Sequence, residues 1–142
     1  MRTLTTTMLL LLSLMVYSQR IVVPASSPYG FTNDCAIQAL AGAKDITYKE
    51  AYLLLKDVYV EDKGVATSNF MKVLSQEFPD AKVSTASLIK PRELVQLLEH
   101  NTYIVISKGH TFCIRHTSRW ELIGYRSDLD KRVFIVIKLN KV

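Results

Sequence analysis

Patterns that form helices fill the first two thirds of this chain, and patterns that form strands fill the last third. That segregation argues against the alternating order of a parallel α/β sheet. It predicts an α+β fold, with an N-terminal helical half packed on a C-terminal antiparallel sheet. Ala36-Ile37-Gln38-Ala39-Leu40-Ala41 reads as a first helix running to about residue 43, with Gly42 marking its end. Thr32, Asn33 or Asp34 supplies its cap. Thr47-Tyr48-Lys49-Glu50 is a capping-box pattern ahead of Ala51-Tyr52-Leu53-Leu54-Leu55, which predicts a helix to about residue 59. Gly64 breaks that pattern. Thr67 or Ser68 caps a third helix, in which Phe70, Met71, Val73, Leu74 and Phe78 recur at helical spacing before Pro79 closes it.

Lys82-Val83-Ser84-Thr85 alternates and reads as a short strand. Pro91 opens a fourth helix with Leu94, Val95, Leu97 and Leu98 on its apolar face. Tyr103-Ile104-Val105-Ile106 is the run of a buried strand. Residues 110–116, 119–125 and 133–139 supply three more strands, with Ser127-Asp128-Leu129-Asp130 as a turn.

The chain has 142 residues, enough for one domain, and no repeat or linker divides it. The formal net charge is +5. The densest basic stretch, Lys131-Arg132 with Lys138 and Lys141, is interleaved with an apolar strand. It reads as a solvated face, so no nucleic-acid partner is expected.

The N-terminus stands apart. Arg2 is its one charge, 8–17 is almost wholly apolar, and Val16-Tyr17-Ser18 offers modest residues at an exit site. These are the parts of a secretory signal over residues 1–18, cleaved before Gln19. The apolar run is about half the roughly 20 residues that span a bilayer. The expected location is secreted or extracytoplasmic, with membrane contact only through this segment if it stays uncleaved. Residues 19–31, carrying Pro24, Pro28 and Gly30, read as an extended or irregular leader.

Cys35 carries the chemistry. A thiol at a helix start feels the positive end of the helix dipole, which favours the thiolate. Gly109-His110 opens a later strand, and Trp120-Glu121 follows on the next. A thiol, an imidazole and an acid are the needs of cysteine nucleophilic catalysis. Cys35 is then the nucleophile and His110 the general base. Glu121 is the candidate that orients the ring, with Asp128 as the alternative. The Cys35 N–H and the Asn33 amide are the candidate oxyanion donors. A peptide or protein is the expected substrate.

Neither cofactor nor metal is expected. On a strand, Cys113 opposes His110 and His116, and those two are about 20 Å apart at ~3.3 Å per residue. Zinc needs ligands at about 2.0–2.3 Å. The same alternation argues against a Cys35–Cys113 disulfide: if His110 faces Cys35, Cys113 points away.

Asn33-Asp34-Cys35-Ala36-Ile37-Gln38-Ala39-Leu40-Ala41, Thr47-Tyr48-Lys49-Glu50-Ala51, the glycine-led stretch from Gly64, Gly109-His110 and Trp120-Glu121 occur in an order that resembles the papain-like cysteine peptidase superfamily. The likeness is to small phage and bacterial domains of the bacteriocin-processing-like branch, and it runs from about Phe31 to Glu121. It implies a papain-like fold over residues 32–142, a thiol carried by the central helix, an imidazole carried by the sheet, and thiol peptidase or amidase activity. Two departures stand out. Pro28-Tyr29-Gly30-Phe31 lacks the glutamine such domains place before the cysteine, and glutamate stands where aspartate or asparagine is usual. They motivate the alternative of a catalytically inactive binding domain on the same scaffold.

Overall fold

The computed structural model describes residues 19–85, 90–94 and 99–141. The expected signal segment, and Val95, Leu97 and Leu98 of the fourth helix, lie outside these residues. Four α-helices are described: α1 (Cys35–Lys44), α2 (Tyr48–Leu55), α3 (Thr67–Glu77) and α4 (Pro91–Leu94). One six-stranded sheet combines β1 (Gln19–Val22), β4 (Lys82–Thr85), β5 (Asn101–Ser107), β6 (His110–His116), β7 (Trp120–Ile123) and β8 (Val133–Lys138). Its order is β1-β7-β6-β5-β8-β4. A separate hairpin joins β2 (Tyr59–Val60) to β3 (Gly64–Val65), and a 3-10 helix spans Arg126–Asp130.

The sheet is mixed rather than purely antiparallel. β1, read from sequence as an irregular leader, pairs parallel to β7 with Ile21 opposite Leu122. The remaining neighbours in the sheet are antiparallel. Arg20-Ile21-Val22 is short but β-prone, and it ends ahead of Pro24, which suits an edge strand.

Strand alternation assigns the two sheet faces to two cores. Ile104, Ile106, Cys113, Ile123 and Ile137 join α1, α2 and α3 on one face. Tyr103, Val105, Phe112, Ile114, Leu122 and Val136 meet Leu94 of α4 and Leu129 of the 3-10 helix on the other. β5 lies between β6 and β8 and is buried on both faces, which is why Tyr103-Ile104-Val105-Ile106 carries no polar alternation.

The helix ends follow local chemistry. Thr47 and Glu50 form the expected capping box of α2. Gly42 does not end α1, contrary to the sequence reading; it sits inside the helix where it crosses the sheet. A Cβ there would stand 2.7 Å from Ile123 Cδ1. The helix ends instead at Asp45, in the left-handed conformation with φ 57°. Lys141 Nζ donates to the Ala43 carbonyl at 2.5 Å, satisfying an acceptor in that last turn. α3 starts after Ala66 with no side-chain cap, so neither Thr67 nor Ser68 caps it.

Candidate active site

Three elements meet where β6 begins. α1 opens with Cys35, β6 opens with His110, and the 3-10 helix presents Asp128. Lys108-Gly109 is the tight turn between the paired residues Ser107 and His110, and Gly109 takes the left-handed φ of 69° at its second central position, where glycine is favoured. The imidazole is thus placed one residue beyond the end of a short hairpin connection.

His110 Nε2 lies 3.1 Å from Asp128 Oδ1. The imidazole and the Cys35 thiol lie close enough to influence each other's charge. With Nε2 facing Asp128, Nδ1 is the nitrogen left for sulfur. Backbone groups of Thr111 and Ala36 also lie near the sulfur. Asp128 is fully buried, and Lys131 Nζ stands 2.9 Å from the same Oδ1. Neither cation meets that oxygen at hydrogen-bonding angles, so both contacts are ion pairs. The second oxygen, Oδ2, accepts the Tyr125 N–H at 2.8 Å. Gly124 makes room for it, since a Cβ there would lie 2.6 Å from Oδ2.

The charges reinforce one another. Burial pushes the Cys35 thiol up, but the nearby His110 ring, the Thr111 and Ala36 backbone groups and the imidazolium charge together bring it below the ordinary value of 9.0. His110 is raised from 6.5 to about 9 by Asp128 first and Cys35 second, against desolvation. Burial raises Asp128 too, yet His110, the Tyr125 N–H and Lys131 hold it down at about 2. Asp128 is therefore ionised and His110 protonated at neutral pH, and the imidazolium in turn favours the thiolate over the thiol.

The sulfur opens onto a cleft of about 160 Å³ lined by residues that include Asn33, Lys63, Gly64, Thr67, Ser107 and His110. Its hairpin wall is seated closely: Gly64, at φ 80°, passes where a Cβ would be 2.6 Å from the Asn33 carbonyl.

Glu121, expected to orient the imidazole, does not reach it. The β6–β7 register sets Glu121 opposite Arg115, on the sheet face that His110 does not share. Glu121 Oε2 instead pairs with Arg115 Nη2 at 2.9 Å. Asn33 does line the cleft, but its side-chain amide donates to the Asp62 carbonyl of the hairpin. Asp34 precedes the helix without a side-chain cap bond and accepts the Tyr48 hydroxyl at 2.7 Å. Cys113 is a free, fully buried thiol of the helix-side core.

Sequence reasoning ranked Asp128 second and set Lys131 on a solvated face. Parity held the missing signal. With His116 opposite Trp120, Glu121 must fall on the wrong face, and the acid has to come from beyond β7. Nothing in the basic spacing marks Lys131, because its partner is buried by tertiary packing. Among the described residues, no three His, Cys, Asp or Glu side chains gather as metal ligands would. No described helix is long and apolar enough to cross a membrane. Known family models, curated proteins and solved structures give no match to this chain.

Proposed function

We propose that the protein hydrolyses peptide or amide bonds through a Cys35 thiolate, on a papain-like arrangement of helix and sheet. The observation that carries this reading is the Cys35–His110–Asp128 line, with the imidazole between the sulfur and a buried carboxylate. Sγ attacks the substrate carbonyl carbon, and the π electrons move onto oxygen. The Cys35 N–H, which a helix start leaves without an intrahelical acceptor, is available to that developing charge. As the C–N bond breaks, the imidazolium gives its proton to the leaving amine. A thioester remains on Sγ. The neutral imidazole then takes a proton from water, hydroxide adds to the thioester carbonyl, and the C–S bond breaks. Acid product leaves, and the thiolate–imidazolium pair is restored.

The test is alkylation of Cys35 by iodoacetamide across pH, followed by assay on a peptide library. The thiol should titrate below 9.0. Cys35→Ala should remove every cleavage, and His110→Ala should return the thiol to its ordinary reactivity. A wild-type thiol titrating as a free cysteine would reject the reading.

Engagement of Asn33 with Asp62 favours a second reading. With that amide occupied and no glutamine in the Pro28-Tyr29-Gly30-Phe31 stretch before Cys35, one side-chain oxyanion donor is missing. The cleft then holds a peptide without cutting it. A peptide that saturates the protein, accompanied by no product and no acyl-enzyme mass, selects this alternative.

A further inference from the structure

We propose that Lys131 is a positioning residue that shares the Asp128 charge with His110 and so sets the pH at which the imidazolium is lost. The inference rests on the catalytic reading above and concerns the same site. Its basis is geometric. One buried oxygen, Asp128 Oδ1, faces two cations, His110 Nε2 at 3.1 Å and Lys131 Nζ at 2.9 Å. The other oxygen is held by the Tyr125 N–H, so the carboxylate keeps its orientation without the lysine. Lys131 follows the 3-10 helix by one residue and keeps partial contact with water, its side chain 38% exposed.

Among the described residues, charged groups stand near the pair on several elements. Cys35 faces His110 from α1, and Lys63 lines the cleft from the hairpin. Asp130, on the 3-10 helix, pairs with Arg92 of α4 at 3.8 Å. Lys131 is therefore the cation besides His110 in direct contact with Asp128 among these groups. Two cations on one carboxylate compete for its field. Each lowers the negative potential that the other feels. Removing the lysine leaves the whole carboxylate charge to the imidazolium.

A role confined to holding Asp128 in place predicts the opposite. Freed from its anchor, the carboxylate would drift from His110, and the imidazole would titrate lower. The two roles thus differ in sign.

The experiment is NMR titration of the His110 ring in the wild type, Lys131→Met and Lys131→Arg, with circular dichroism to establish folding. Iodoacetamide titration of Cys35 runs alongside. The wild-type ring should titrate near 9. Lys131→Met should move it upward by about half a unit at low ionic strength, and the gap to wild type should shrink in salt. Lys131→Arg should titrate as wild type. If Lys131→Met does not fold, Lys131→Gln replaces it. A downward or absent shift overturns the role of Lys131 while leaving the catalytic reading intact. A wild-type ring near 6.5 with an ordinary Cys35 thiol overturns the catalytic reading itself.

Discussion

Asp128 is the residue on which the site turns, and two of its consequences can be measured. Asp128→Asn keeps the shape and removes the charge. His110 should then titrate below about 9. Any hydrolysis should fall by roughly 10²–10⁴-fold, the scale of a lost general acid–base function. Glu121→Gln should leave the rate within a factor of two, because its partner is Arg115. The second consequence is stability. The carboxyl lies at about 2 in the fold against 3.8 in the free chain. Its contribution, about 2 kcal/mol, is complete above the upper value and lost as pH falls through the lower one. Urea melts between pH 5 and 2 should show this loss in the wild type and not in Asp128→Asn. The two cysteines should also separate cleanly. Cys113 is pushed up to about 12 by burial. Mass spectrometry after native alkylation should find one adduct, on Cys35, and a second only in denaturant. The thiol and imidazole were legible in sequence because each sits at the start of an element with its own local signature. The carboxylate was not, because a turn of Ser127-Asp128-Leu129-Asp130 carries no mark of what it is buried against.

Close approaches of backbone decide where the elements lie. α1 crosses the sheet at Gly42, where the space is filled by Ile123. Gly42→Val should overpack this crossing and cost about 1–3 kcal/mol, read as a lower Tm. The hairpin is seated by Gly64 against the Asn33 carbonyl. Gly64→Ala adds both a clash and an unfavourable positive φ, so it should shift the cleft wall. Peptide binding should weaken more than the Cys35 alkylation rate changes, because the sulfur, ring and carboxylate lie on other elements. Element identities were largely legible: the capping box at Thr47, the short alternating β4 and the apolar β5 all fell where their patterns placed them. The exceptions share a cause. Gly42 reads as a stop only when the sheet beneath it is ignored, and Arg20-Ile21-Val22 reads as irregular only without β7 to pair with.

At the scale of the molecule, the site joins the two cores. Cys35 belongs to the helix layer, while Asp128 and Leu129 belong to the 3-10 helix on the opposite sheet face. His110 spans them from the end of β6. Its position follows from the pairing of His110 with Ser107 of β5, so a shift of the helix layer against the sheet would separate the sulfur from the ring. Loss of accelerated alkylation and loss of the far-ultraviolet signal should therefore coincide in a urea titration, as expected of one cooperative unit.

The order of these residues along the chain has a consequence for synthesis. Cys35 leaves the ribosome long before His110, Asp128 and Lys131, and long before Lys141 can brace the far end of its helix. A nascent chain therefore carries an ordinary thiol. The imidazole and carboxylate that shift the thiol join it only when the C-terminal strands close.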